Sequence, residues 1–246
     1  LTRARMMNST SARSRKTAAM RETMPDDLGG SSVNIAVTGI SRSEDGAFVT
    51  VSITLSCGKK RDRRAFLLPV EDFVSLGLRR GEISPETFEL TEKRAKLCEA
   101  CRRGENILGY GANSGKRLEM KLRRKGFDAE TAGEAVERLT ERGYIDEYSD
   151  ALRAARRSAA GFHGPRLIAS QLIAKGYGRD TVEAVLSSMD DIDFTRLCSD
   201  FIRKKYDPFP TERKERDKAF ATLMRRGYPS STLREALTLI KNETDT

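Results

Sequence analysis

The sequence has few of the residues from which catalytic and metal centres are built. Its 246 residues contain no tryptophan, a single histidine (His163) and four cysteines. Apolar residues make up only 38% and charged residues 33%, a balance that favours thin helical layers over one deep core. No apolar run approaches the roughly 18–20 residues of a membrane span, so we expect a soluble protein with no membrane partner.

The charge balance and the cysteines suggest where the chain works and what it binds. The formal net charge of +9 favours a polyanionic partner or an acidic protein surface. Four cysteines without a recognisable secretory signal predict reduced thiols and a cytoplasmic location.

A six-residue pattern returns three times and organises the chain. Leu122–Phe127, Leu172–Tyr177 and Leu223–Tyr228 each have an apolar residue four before a glycine, a cation directly before it and an aromatic directly after it. The copies lie about 50 residues apart, and apolar residues at helical spacing flank each one. Glycine suits the left-handed turn that ends a helix, and a cation suits the negative end of the helix dipole.

The pattern therefore predicts a mainly α, elongated protein of three tandem three-helix repeats, over residues 84–143, 144–190 and 191–241. The residues expected to hold the repeats together are Leu122, Gly126, Phe127, Gly143, Tyr144, Asp146, Gly164, Pro165, Leu172, Gly176, Tyr177, Leu223, Gly227 and Tyr228.

The residues before the repeats divide into two parts. Residues 1–32 show no periodicity and predict a disordered basic tail. Residues 33–83 predict a small β-rich module of three strands, since Val33–Ile40 and Phe48–Leu55 alternate around an Asp-Gly turn and Ala65–Leu68 follows.

Capping signals place the helices of the repeats. In repeat one we expect helices near 85–103, 114–125 and 128–142, with Ser114 and Asp128 as N-caps. Asp180–Glu183 resembles a capping box, which predicts a helix starting after Asp180. Asp207–Pro210 should break repeat three, because no helix would cross its two prolines.

Four short motifs suggest chemistry, and none is complete. Cys98 and Cys101 form a CxxC pair without two further ligands nearby. The loop 111–116 has the wrong glycine spacing for a phosphate loop and lacks its Ser or Thr. His163 has no neighbouring nucleophile in sequence, and the acids at 190–193 already suit a helix start. We expect no catalytic residue, cofactor or metal.

Cations recur at the helix ends and form a candidate partner-binding strip. Its members are Arg123, Arg124, Lys125, Arg153, Arg156, Arg157, Arg166, Lys175, Arg203, Lys204, Lys205, Arg225 and Arg226.

Over roughly Pro69 to Ile240 the sequence resembles the RecX family, the regulatory proteins of the bacterial RecA recombinase. The residues that carry the resemblance are Leu122–Phe127, Val136, Leu139, Gly143–Glu147, Gly161–Ile168, Lys175-Gly176 and Leu223–Tyr228. The resemblance implies a monomeric, non-enzymatic protein that binds within the groove of the RecA–DNA filament. It also implies inhibition of the recombinase and coprotease activities, with effects on DNA repair and the SOS response. The alternative is a helical-repeat protein that binds single-stranded DNA, or a transcriptional regulator.

Overall fold

The computed structural model describes residues 33–206 and 208–244. The expected basic tail, 1–32, lies outside these residues, as does Asp207 in the expected break. Within the described residues ten helices accompany a small antiparallel sheet, so the expected mainly α fold with an N-terminal β-rich module is confirmed. None of these helices is both long and apolar enough to cross a membrane.

The N-terminal module is a sheet of four strands rather than the three expected. Strands β1 (Asn34–Arg42), β2 (Phe48–Cys57) and β3 (Lys60–Pro69) are antiparallel neighbours, and helix α1 (Val70–Ser75) follows. The prediction missed β4 (Gly81–Glu82), which pairs with β1 at the open edge. Two residues are too few to show the alternation by which a strand is recognised.

One face of the sheet forms a hydrophobic cluster. Val49, Val51 and Ile53 alternate along β2 and are buried, as the two-residue period of a strand requires. Leu68 of β3 and Val37 of β1 complete the centre of the cluster.

In the described part of the chain nine helices follow α1, and they form three units. Repeat one contains α2 (Pro85–Gly109), α3 (Gly115–Arg124) and α4 (Ala129–Glu141). Repeat two contains α5 (Glu147–Ala160), α6 (Pro165–Ala174) and α7 (Arg179–Ser187). Repeat three contains α8 (Phe194–Lys205), α9 (Arg213–Arg225) and α10 (Ser230–Thr244). Each unit has its own hydrophobic cluster, in which Leu122, Leu172 and Leu223 hold equivalent, fully buried positions.

Helix α2 belongs to two cores. Near its start Phe88 packs edge-on against Phe66 of the sheet, with ring centroids 5.8 Å apart, while Leu97 joins the core of repeat one. The helix was expected to end at 103 but continues to Gly109. Gly104 lies inside this helix and allows α4 to pack close to it, since a β-carbon on Gly104 would lie 2.5 Å from Leu139 Cδ1.

Side-chain caps begin five of the ten described helices, and the two caps expected in repeat one are among them. The Ser114 and Asp128 side chains accept hydrogen bonds from the first turns of α3 and α4. The expectation for α7 was wrong, since this helix begins at Arg179 after an extended Gly178. Asp180 instead lies in the first turn, where its charge complements the helix dipole.

Candidate interaction surface

The three repeated motifs form the same turn at the ends of α3, α6 and α9. Their glycines adopt left-handed φ angles of 98°, 90° and 90° at Gly126, Gly176 and Gly227. In each copy the backbone N–H of the aromatic residue donates to the backbone carbonyl of the leucine: Phe127 to Leu122 at 3.4 Å, Tyr177 to Leu172 at 3.2 Å and Tyr228 to Leu223 at 3.3 Å. This is the Schellman pattern, in which the residue after the glycine also contacts the last apolar turn. We call these three structures the glycine turns.

The glycine turn of repeat three receives the start of α6 in repeat two. The N–H of Gly164 donates to the carbonyl of Arg226 at 2.7 Å, and the N–H of Arg166 donates to the carbonyl of Gly227 at 3.2 Å. The two backbones are in direct contact, since a β-carbon on Gly164 would lie 2.6 Å from the carbonyl carbon of Gly227. We call this contact the second joint.

The glycine turn of repeat two receives the start of α3 in the same manner. The hydroxyl of Ser114 donates to the carbonyl of Lys175 at 2.8 Å, and it accepts a hydrogen bond from the N–H of Arg117 at 3.3 Å. A β-carbon on Gly176 would lie 2.7 Å from Ser114 Oγ. This first joint therefore uses a side chain where the second uses backbone.

The two joints connect α9, α6 and α3 in series, with the C-terminus of each helix against the N-terminus of the next. Unpaired carbonyls at one helix end thus meet unpaired N–H groups at the other, and the helix dipoles are joined head to tail. We call this series the second-helix line. It connects repeats that share few other contacts, because the main helix packing lies within each repeat.

Arg226 is held inside the second joint. Its guanidinium lies 4.1 Å from the centroid of the Phe201 ring and donates to the carbonyls of Gly161 and Phe162 at 2.9 and 3.2 Å. Phe162 is the one non-glycine residue with a left-handed φ, 59°, among the described residues. Its ring packs near Phe201, with centroids 5.9 Å apart.

A groove runs along α3 between the glycine turns of repeats one and two. Its volume is about 1050 Å³, and we call it the α3 groove. Met120, Phe127 and Ile173 supply apolar surface, and Glu119 and Asp128 are its two acids. Its cations are Lys116, Arg117, Lys121, Arg123, Arg124 and Lys175. Cations thus outnumber acids in its lining, which also contains apolar side chains.

The structure divides the candidate strip by the contacts of its side chains. Four members form ion pairs: Arg123 with Glu119, Arg153 with Asp150, Arg156 with Asp191 and Arg203 with Glu243. Three others lie against rings or a hydroxyl: Lys204 near Phe162, Lys205 near Tyr206 and Arg225 near Thr222. Five members have neither an ion pair nor such a contact in the described part of the chain, and all five are exposed: Arg124, Lys125, Arg157, Arg166 and Lys175. These five are the most available for a partner.

Three cations of the α3 groove were missed by the sequence reasoning. Lys116 and Arg117 were considered only as part of a phosphate loop, and Lys121 was not considered. The signal was present, because Arg117, Lys121 and Arg124 follow each other at helical spacing. Lys121 Nζ donates to Asn113 Oδ1 at 2.6 Å, and its pKa is lowered first by burial and then by Arg117.

The cysteine, phosphate-loop and histidine motifs considered in the sequence lie in the helix packing and at the helix ends. Cys98 and Cys101 are buried on α2, and burial raises the pKa of Cys98 to about 11. Ser114, in the loop that resembles a phosphate loop, is the N-cap of α3. His163 Nδ1 lies 2.9 Å from Ser158 Oγ beside the second joint. Across the described ranges, no group of three or more His, Cys, Asp or Glu side chains could hold a metal ion.

Known proteins are similar to this chain in sequence and in fold. No family model matches the chain. The regulatory protein RecX of Xanthomonas axonopodis pv. citri is 30% identical over 145 residues, which cover 58% of this chain and 89% of that protein. The chain belongs to the RecX family. The RecX proteins of Xanthomonas campestris pv. campestris and Stenotrophomonas maltophilia are 31% and 29% identical, each with 89% of its length covered.

Solved RecX structures share the fold. One crystal structure of a regulatory protein RecX superposes with a TM-score of 0.65 at 17% identity, covering 81% of this chain and 97% of that one. RecX from Lactobacillus salivarius gives a TM-score of 0.53 at 18% identity, with 59% and 97% covered. The helical units described above are therefore those of RecX proteins.

Proposed function

We propose that this RecX-family protein binds the RecA recombinase filament and opposes its recombinase and coprotease activities, without catalysing a reaction itself. It would act as a cytoplasmic monomer and thereby affect DNA repair, DNA recombination and the SOS response. Membership of a family of regulatory proteins supports a regulatory role.

The observation that carries this proposal is the second-helix line with its cations. The joints fix α3, α6 and α9 in one series, so cations at successive helix ends are held at set positions relative to each other. A filament presents the same surface at regular intervals, and a rigid series of similar helices can contact several subunits together. Arg124, Lys125, Arg166 and Lys175 are exposed along this line and would make the first contacts.

Charge reversal in the α3 groove tests the proposal. The variant with Lys116→Glu, Arg124→Glu and Lys175→Glu should lose most of its inhibition of strand exchange by the recombinase. Exposed cations add little to stability, so circular dichroism and the melting temperature should stay close to those of the parent protein.

A matched control distinguishes the effect of charges in the α3 groove from the effect of the protein's net charge. Lys59→Glu, Arg79→Glu and Arg103→Glu replace three exposed cations outside the second-helix line and give the same net charge. This control should inhibit like the parent protein. Equal inhibition by all three proteins would remove the α3 groove from the proposal, and the absence of inhibition by the parent would overturn it.

The excess of cations in the α3 groove also favours the alternative, binding of single-stranded DNA. Such binding would weaken steeply as salt rises, because it is driven by release of counterions, and it would not require the recombinase. Binding to naked single strands and to assembled filaments should be measured at the same near-physiological salt. Tighter binding to the filament supports the proposal, and equal or tighter binding to naked strands supports the alternative.

A further inference from the structure

Two of the three glycine turns are covered inside the molecule, and the third is open. The turn at Gly227 is buried against the start of α6, and the turn at Gly176 is partly covered by the start of α3. The turn at Gly126 has the same hydrogen bonds and a similar φ of 98°, yet it is exposed. A β-carbon on Gly126 would meet no described atom within 4 Å.

The open turn adjoins the α3 groove, which supplies a charged and partly apolar surface beside it. Arg124 precedes Gly126, and Phe127 and Ala129 follow it, and all three line the groove. In both joints the residue that meets the turn is small, Ser114 or Gly164. A longer side chain would not fit there, since the β-carbon position of Gly164 is already 2.6 Å from the backbone of Gly227.

We propose that the glycine turn at Lys125–Gly126 is a docking position for the N-terminal end of an α-helix of the recombinase filament. The docked helix would have a small residue at its N-cap, as α3 and α6 have in Ser114 and Gly164, and would carry acids in its first turn opposite the cations of the groove. Acids are favoured in the first turn of a helix by its dipole. The second-helix line would thus continue from this chain into its partner through a third joint. This inference rests on the proposed function.

In a second copy of this chain, the remaining second helix, α9, does not supply such a helix end. Ser114 and Gly164 each lie twelve residues before the glycine of their own turn. The residue at that distance before Gly227 is Glu215, which is in the first turn of α9. Helix α9 also begins earlier, after Glu212, whose side chain makes no cap hydrogen bond. Its start therefore lacks the small residue that both joints use.

The substitution Gly126→Asn tests this docking position. Asparagine tolerates the left-handed region better than other residues with a β-carbon, and here its side chain enters open space. The control is Gly133→Asn in α4, where a β-carbon also meets no described atom within 4 Å but which is not part of the groove lining. Binding of labelled protein to recombinase filaments on single-stranded DNA would be measured for both.

The expected result is binding weaker by about tenfold or more for Gly126→Asn, the loss of one well-packed contact, with Gly133→Asn like the parent. Unchanged binding of a folded Gly126→Asn protein would overturn the inference. If circular dichroism shows that Gly126→Asn does not fold, Ala129→Tyr decides in the same way, because it adds bulk beside the turn at ordinary helical angles.

The failure of this inference can be told from the failure of the proposed function. Loss of binding on charge reversal in the α3 groove, with full binding by Gly126→Asn and by Ala129→Tyr, would leave the proposed function standing and remove the third joint. No filament binding by the parent protein would remove both.

Discussion

The N–H of Gly164 and the carbonyl oxygen of Arg226 form a 2.7 Å hydrogen bond that joins repeat two to repeat three through backbone alone. The corresponding contact between repeats one and two passes through the hydroxyl of Ser114. In both joints the C-terminal end of one second helix therefore meets the N-terminal end of another. The two contacts should tolerate substitution of their residues to different degrees. This difference gives each glycine turn its own expected response.

Alanine at the three turn glycines should have graded effects on stability. Each substitution places an L-residue at a similar positive φ, which costs about 1–2 kcal/mol. At Gly126 the cost should end there, because the space is open. At Gly227 overpacking against Leu167 should add about 1–3 kcal/mol. Urea unfolding followed by circular dichroism measures the difference.

Gly176→Ala should fall between these two, since Ser114 Oγ can rotate away but then leaves the carbonyl of Lys175 without its donor. Equal losses of stability for all three alanine variants would contradict the joints as described.

Ser114→Ala should cost more stability than Ser84→Ala. Both serines cap a helix, Ser114 through the N–H of Arg117 and Ser84 through the N–H of Thr87, and loss of a cap costs about 1 kcal/mol. Ser114 also makes the hydrogen bond of the first joint, worth about another 1 kcal/mol. Thermal unfolding of both variants checks this, and a larger loss for Ser84→Ala would count against the joint.

Cys57 should be the one thiol that reacts in the folded protein. It is partly exposed, whereas Cys98, Cys101 and Cys198 are buried. Burial raises the pKa of Cys98 to about 11 and that of Cys198 to about 12, and it also raises the pKa of Cys101. The thiolate is the reactive form, so a thiol reagent at about pH 8 should label one cysteine quickly and the others only on unfolding.

The matched variant is Cys57→Ser, which should label slowly throughout until it unfolds. Rapid labelling of two or more thiols in the folded parent protein would show that at least one of the three buried thiols is accessible.

His163 should make stability fall in mild acid. Its pKa is lowered from 6.5 by burial and secondarily by Arg226, so the unfolded chain takes up the proton first as the pH falls. The contribution of His163 is therefore complete above pH 6.5 and is lost as the pH falls through the lowered folded pKa. The free energy of unfolding should drop less for His163→Gln than for the parent protein between about pH 7.5 and pH 5.5. Identical drops in the two proteins would exclude this role.

Local features of the fold could be predicted from the sequence because their signals lie close together in it. Each glycine turn is completed within six residues, from Leu122 to Phe127 in the first copy. All the residues that form its hydrogen bonds therefore lie in one short stretch of sequence, where the pattern can be recognised. The joints could not be predicted, because Ser114 and Lys175 are 61 residues apart and no pattern names a partner at that distance. Gly164 was recognised as part of the repeat. The reason that a glycine is needed there is its close contact with Gly227, and only the structure shows this contact.

The cations illustrate the same limit for the candidate surface. Lys175 and Arg226 hold the same position before their glycines, yet Lys175 is exposed and Arg226 lies against Phe201. The two residues have the same position in the repeated sequence, and their surroundings differ only because of the neighbouring repeat. The α3 groove was missed for a related reason, since its lining comes from two repeats.

Helix α2 contributes to two hydrophobic cores, and this couples the unfolding of the sheet to that of repeat one. Because Phe88 and Leu97 lie on one continuous α2, the sheet cannot separate from repeat one without exposing apolar surface on that helix. Asp72 of α1 strengthens this connection, with Arg94 and Arg138 at 3.8 and 3.7 Å. Repeats two and three are linked to their neighbours mainly by the joints. Native-state hydrogen exchange should therefore show one large cooperative unit at the N-terminal side, followed by two smaller units that open at lower free energy.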